Sequence, residues 1–384
     1  MAAADRYDVI CLSLEPWDEI WRRNQLFATE LLRLRPGMRI LFAEAPIDIL
    51  WTLRQGRLPR WEGIRPIGGS GRLWGMAPRK WFPRRIRPDG DKALMRQVLT
   101  AARKLRFEQP VLWINDNMYA PLIEHTGWPG VYDVTDDWVL GSATPRELER
   151  QRRNDALALR DADEVVVCSP ALAASRGHGR SVHLVSNGVD TEHLRSPTTR
   201  PADLPPGRIV LYQGTLSEAR LDLDLCMALA RGLADRATLV FLGPVSLRRG
   251  SDSTLRESGA VLLGGRPYSD VPAYLQHADV LIVPHVVTGF TESLDPIKAR
   301  EYQAVGRPVV STAVAGFRDL EGPVVIVDPE EFLSAVEAVL DGPALPPGPG
   351  ELVGSPATWA DQAAAFLDVL DAAAAHRSGI EQDS

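Results

Sequence analysis

Cysteine is scarce in this chain. There are 3 in 384 residues, at Cys11, Cys168 and Cys226, and no CxxC. Such wide spacing offers no disulfide framework and fits reduced thiols in a cytoplasmic setting. Histidine is scarce too: the 7 present show no metal-ligand spacing, so no metal site is expected. No apolar run approaches the roughly 18 residues a membrane span requires. The start, MAAADRYDVICLSLEP, lacks the basic region and long apolar core of a signal peptide. Basic charge is not in excess either. The net charge of −7 argues against nucleic acid as the main partner, and no nucleic-acid partner is expected. Walker and GxGxxG phosphate loops are both missing.

What is present is alternation. With 45% hydrophobic and 24% charged residues, the chain is an ordinary globular sequence, long enough for two domains. Strands are expected at Tyr7–Leu14, Arg39–Glu44, Arg72–Ala77, Pro110–Asn115, Gly130–Thr135, Glu164–Ser169 and Ser181–Ser186. Helices are expected between most of them, including Trp17–Leu34, Asp91–Phe107 and Pro145–Asp161. This βαβ series predicts an α/β fold with mostly parallel sheets. Proline pairs cluster over Asn187–Pro206, as in a linker. The alternation then restarts, from a strand at Arg208–Gln213 to a helix at Pro329–Leu340. A Pro/Gly loop at Gly342–Gly350 precedes a last helix, Ala357–His376.

The most informative stretch is Thr291–Thr312, TESLDPIKAREYQAVGRPVVST. Asp295-Pro296 reads as a helix start, with Asp as N-cap and Pro in the first turn. Lys298 then opposes the positive end of the helix dipole, a conflict that a bound anion would relieve. Glu301 falls on the same face, where a carboxylate can accept hydrogen bonds from two neighbouring sugar hydroxyls. One helix start thus offers a phosphate end and a ribose end. The plain alternative is a surface Lys–Glu pair. Upstream, VLYQGTLSEARLD ends a strand at Gln213. Gly214 there lets backbone approach a ligand, and Arg220 adds positive charge. Asn187-Gly188, in HLVSNGVD, is a turn at the start of the linker.

Four motifs, SNGVD at Ser186–Asp190, YQGTLSE at Tyr212–Glu218, ADVLIVPH at Ala278–His285 and DPIKAREYQAVGRPVVST at Asp295–Thr312, carry a family resemblance. The chain resembles the GT-B glycosyltransferases of the group 1, or family 4, type. The PIKxxEY wording looks like the subgroup acting in polysaccharide and natural-product assembly. The resemblance implies two Rossmann-like domains facing a cleft: an acceptor domain over 1–190 and a nucleotide-sugar domain over 191–355. A helix and tail over 356–384 would cross back to the first. It implies that Glu301 binds ribose hydroxyls and that Gly214, Thr215, Arg220 and Lys298 face the diphosphate. Pro296 and Ile297 open the donor helix. Many members carry two glutamates seven residues apart; here the first of those positions is Ser293. His285 faces the donor cleft by position, and Arg266 is placed to meet the base.

The catalytic group is expected from the first domain. VYDVTDDW puts Asp133, Asp136 and Asp137 at a strand end, where a site belongs. One of them is the candidate general base for an acceptor hydroxyl, Asp136 first; helix capping is the plain alternative. Asn115 and Asp116 at the next strand end, with Glu15 and Trp17 after the first strand, are placed on the acceptor side. The segment 51–88 holds ten Arg or Lys against one Glu, a local charge of +9, leaving −16 for the rest. Trp51, Trp61, Trp74 and Trp81 are interleaved there. This mixture suits an anionic membrane surface or an anionic acceptor.

The expectation is a cytoplasmic glycosyltransferase, peripheral at the inner membrane face through 51–88. It would use a nucleoside diphosphate sugar as co-substrate, with neither cofactor nor metal. The acceptor would be a hydroxyl or amine on a natural product, glycan or lipid-linked molecule. A nucleotide-sugar epimerase on the same fold and a non-catalytic sugar-nucleotide-binding protein are the rivals.

Overall fold

Runs of Val, Ile and Leu too short for helices form strands buried on both faces, which is what a parallel sheet covered by helices requires. The computed structural model describes residues 7–380 except 55, 57, 60–62, 83–89 and 141–143. The first sheet contains β1 (Val9–Leu12), β2 (Ile40–Ala43), β3 (Arg65–Pro66), β4 (Leu73–Met76), β5 (Val111–Ile114), β6 (Gly130–Val134), β7 (Glu164–Val167) and β8 (His183–Leu184). Their order is β8-β7-β6-β5-β1-β2-β4-β3, and only β3 is antiparallel to its neighbour. Every residue of β1, β2 and β5 is buried.

The second sheet contains β9 (Ile209–Gln213), β10 (Thr238–Leu242), β11 (Val261–Gly264), β12 (Val280–Val283), β13 (Val309–Ser311) and β14 (Val324–Ile326). It is parallel throughout, in the order β11-β10-β9-β12-β13-β14. This is the doubly wound order, whose direction reverses between β9 and β12. In the first sheet the reversal falls between β1 and β5. Ligands bind outside the carboxyl ends of strands at such switch points. Those ends here lead into Glu15, Asn115, Gly214 and His285.

The helix Trp359–Ile380 returns to the first sheet. Phe366 lies 5.2 Å from Phe27 and 4.9 Å from Trp113, centroid to centroid, and Asp371 takes a bidentate bond from Arg35 at 2.5 and 2.6 Å. Val189 bridges to Thr358, and a Cβ on Gly188 would lie 2.5 Å from the Trp359 nitrogen. The small residue of the Asn-Gly turn therefore lets the linker cross the start of the last helix.

Two elements differ from expectation, the first being a short helix, Thr191–Arg195, inside the expected linker. The second is the N-terminal helix, which begins at Arg23 rather than Trp17. Asp18 accepts hydrogen bonds from the Ile20 nitrogen and from Arg22, which holds 17–22 as a loop. Trp21 of that loop stacks on Tyr268 of the second lobe, centroids 5.7 Å apart and planes within 9°. In the basic segment, Trp74 lies half-buried in β4 against Phe107, so it belongs to the core. Trp51 and Trp81 are exposed. Trp61 and much of the arginine content, including 84, 85 and 87, lie outside the described residues. No helix among the described residues is long and apolar enough to cross a membrane.

Candidate active site

A cleft of about 460 Å³ opens between the two sheets at their switch points. The helix Ile297–Val305 forms one wall, and Gly306 ends it in the left-handed conformation at φ 69°. Lys298 and Glu301 are not a surface pair: they keep only 8% and 6% of their surface exposed and line the cleft. Lys298 Nζ donates to the Tyr212 hydroxyl at 2.8 Å and lies 4.1 Å from its ring centroid. Burial, then Arg220, holds its ammonium well below the usual lysine range. Burial pushes the Glu301 carboxyl up to about 7, against the opposing pull of Lys298. The described residues offer neither Glu301 oxygen a hydrogen bond, and the residue lines the open cleft.

The strand ends close the floor. A Cβ on Gly214 would lie 2.6 Å from Lys298 Nζ, and one on Gly243 only 2.1 Å from the Gly214 carbonyl oxygen. Both glycines have positive φ, 136° and 148°. Only glycine permits this approach of two loops under the lysine. His285 is 4% exposed, with Nε2 3.2 Å from the Tyr212 hydroxyl. Burial, then Lys298 and Arg220, keeps its imidazole neutral well below the usual histidine range.

From the first lobe, Glu15, Asn115 and Asp136 line the same cleft. Arg220 Nη2 donates to Asp136 Oδ1 at 3.1 Å across the lobes. Burial raises the Asp136 carboxyl and Arg220 lowers it, with a net upward shift. Glu15 is raised to about 7, mainly by burial, with Arg22 opposing. Thr215, Pro296 and Ile297 also line the cleft.

Five expected site residues are placed elsewhere. Asp133 is fully buried beneath the cleft, where Arg23 Nη2 (3.2 Å) and Trp113 Nε1 (3.0 Å) occupy its oxygens. Asp137 pairs with Arg176 at 2.9 and 3.1 Å, away from the cleft. Asp116 accepts from the Met118 nitrogen, capping a short turn beside a neighbouring cavity. Trp17 packs edge-on against Phe42. Ser293 ends the short helix Gly289–Glu292 and donates to the Phe290 carbonyl. Arg266 reaches the cleft wall, but its guanidinium is bound to Asp203, Tyr274 and the Leu263 carbonyl, so it does not offer a stacking face to a base. Asp295 is not the helix cap. Pro296 takes that position, while Asp295 accepts from the Asn187 nitrogen at 2.6 Å and from Arg300 at 3.0 Å.

Sequence reasoning missed Arg23 and Asn24. Arg23 bonds Asp133, the Val185 carbonyl and Asn187, whose amide in turn donates to the Asp295 carbonyl. Asn24 donates to Asn115 at 2.8 Å and to Ser13 at 2.9 Å. The available signal was four polar residues, Arg22, Arg23, Asn24 and Gln25, directly ahead of the apolar run Leu26–Ala28.

Residues 207–342 match the family Glycosyl transferases group 1. The matched stretch takes in the whole of the second sheet, β9 to β14. A Bacillus subtilis (strain 168) protein, TuaH, described as a teichuronic acid biosynthesis glycosyltransferase, is 24% identical over 257 residues. The match covers 61% of this chain and 64% of TuaH, so the chain spans under two thirds of that relative. Sucrose-phosphate synthase from Thermosynechococcus elongatus superposes with a TM-score of 0.65 at 17% identity, over 98% of this chain and 99% of the other. Anabaena HepE, in complex with UDP-glucose, gives 0.59 at 14%, over 97% and 95%. These likenesses show the fold: the chain has the GT-B architecture over nearly its full length.

Proposed function

We propose that this glycosyltransferase moves a sugar from a nucleoside diphosphate sugar to a hydroxyl or amine of a glycan, natural-product or lipid-linked acceptor. The observation that carries the reading is the pairing of Lys298 with Glu301 on one buried helix turn above Gly214. The diphosphate lies against Gly214, Thr215, Lys298 and Arg220, and the ribose hydroxyls bond Glu301. HepE, with the same fold, was solved with UDP-glucose bound, which favours this class of donor. The leaving diphosphate is neutralised by the two cations and backbone N–H groups, without metal, so turnover survives EDTA.

Asp136 is the proposed base. It takes the proton of the acceptor hydroxyl while that oxygen bonds the anomeric carbon and the bond to the diphosphate breaks. Its place at the cleft, on the lobe opposite the donor helix, supports the role. Glu15 is a second carboxyl on the acceptor side. The test is release of nucleoside diphosphate from a panel of nucleotide sugars, with acceptors added, for wild type and Glu301→Ala. Acceptor-independent isomerisation of the sugar nucleotide would instead identify an epimerase.

Trp51 (59% exposed), Leu53, Leu58, Trp81 and Phe82 are exposed on the first lobe within the basic segment. This supports peripheral contact with an anionic bilayer at the cytoplasmic face. Co-sedimentation with phosphatidylglycerol vesicles, lost in Trp51→Ser/Trp81→Ser, tests it.

A further inference from the structure

Tyr212 lies in β9, wholly buried, and the reading above gives it no part. Its register partner on β10 is Phe241, also wholly buried. A bare phenyl ring thus packs at that level of the sheet, and the Tyr212 hydroxyl is not needed to fill space. What the hydroxyl adds is contacts. It lies 2.8 Å from Lys298 Nζ, 3.2 Å from His285 Nε2 and 3.4 Å from the Thr215 carbonyl oxygen. We propose that Tyr212 is a positioning residue that holds Lys298 over Gly214, ready for the diphosphate. The proposal rests on the donor reading above.

Proton counting fixes the direction of these bonds. An ammonium only donates, so Lys298 gives one N–H to the Tyr212 oxygen. The single phenol proton then goes to the neutral His285 ring at Nε2 or to the Thr215 carbonyl. Two further N–H groups of Lys298 are left for the cleft. The backbone fixes the amine from its other side: a Cβ on Gly214 would lie 2.6 Å from Nζ and 3.4 Å from the Tyr212 hydroxyl. Four groups face Lys298: Tyr212 on β9, Arg220 in the loop after β9, His285 after β12, and Glu301 on its own helix. Burial and Arg220 favour the neutral amine, and Glu301 favours the ammonium. Among the described residues Tyr212 is the one that hydrogen-bonds Nζ. A hydrogen bond to the charged form favours that form, so the hydroxyl keeps Lys298 charged to higher pH than burial alone would allow.

Calorimetric titration of the full chain with UDP, GDP, TDP and ADP across pH tests this, in wild type, Tyr212→Phe, Lys298→Met and the double variant. Tyr212→Phe keeps the ring and removes one acceptor. The pH at which Kd begins to rise should fall. Above that rise the variant should bind about tenfold more weakly than wild type, and on its acid side the two should bind alike. Beside Lys298→Met the same substitution should change nothing. NMR titration of the Lys298 ε-methylene in the free protein should show its midpoint moved to lower pH in Tyr212→Phe. In wild type alone, the ring should shift the Lys298 ε-protons upfield, since Nζ lies 4.1 Å from its centroid. Weakening equal at every pH, weakening that persists beside Lys298→Met, an unmoved Lys298 titration or unshifted ε-protons would each overturn the role. A Lys298 titration moved by Tyr212→Phe in a protein that answers no nucleotide would leave the positioning standing and sink the donor reading.

Discussion

Arg220 and Asp136 hydrogen-bond across the cleft, Nη2 to Oδ1 at 3.1 Å, one from each lobe. A diphosphate entering beside Arg220 competes with Asp136 for the same guanidinium. Donor binding thus withdraws the group that lowers the Asp136 carboxyl and leaves burial to raise it. On the proposed reading, Asp136 gains proton affinity when the donor is in place.

Asp136→Asn should lower kcat about 10²- to 10⁴-fold, the usual span for losing a general base, while nucleotide affinity changes little. A base must be ionised, so wild-type kcat rises as pH increases through the Asp136 pKa, and Asp136→Asn removes that limb. Arg220→Gln moves the corresponding limb of kcat/KM, which reports the free enzyme, to higher pH, because the lowering influence of Arg220 is lost there. Rate profiles from pH 4 to 9 check both outcomes.

Glu301 links the donor site to stability. Its folded pKa of about 7 lies above the ordinary glutamate value, so the fold favours the protonated form. That stabilisation is complete below the unfolded pKa and is lost as pH rises through 7. Glu301→Gln does not lose it. The unfolding temperature of the variant should therefore gain on wild type between pH 5 and 8, by an amount worth at most about 3 kcal/mol. A constant gap across that range would contradict the burial argument. Nucleotide binding should weaken in the same variant.

Lys298 should make nucleotide affinity pH-dependent. Burial favours its neutral form in the free protein, and a diphosphate restores the proton. Binding then takes up a proton, and the Kd of a nucleoside diphosphate rises with pH, by up to about tenfold per unit, on the acid side of the ordinary lysine range. Lys298→Met should bind more weakly and with a flat profile. Calorimetry in buffers of different ionisation enthalpy reads the uptake directly.

The fold was legible because strand length and turn residues are local properties. β5 and β12 read as buried runs, and Gly306 as a helix end. The second-lobe wall of the cleft was legible for the same reason: Lys298 and Glu301 share one helix turn. The first-lobe wall was not. Asp133 and Asp136 stand three apart at one strand end, yet Arg23, about 110 positions earlier, claims one and Arg220, 84 positions later, claims the other. Which carboxylate faces the cleft is decided by those distant partners. Asp295 shows the same limit. Its cap reading obeyed local rules, but Asn187 offered a backbone donor from the other lobe.

Thermal unfolding against UDP, GDP, TDP and ADP and their common sugars tests the central claim most directly, in wild type and Glu301→Ala. A ligand at 100 times its Kd adds about 2.7 kcal/mol, enough for a shift of several degrees. The account predicts a shift selective for one base, present in wild type and lost in Glu301→Ala. No shift with any nucleotide, or an equal shift in both proteins, would contradict the donor site built on Gly214, Lys298 and Glu301.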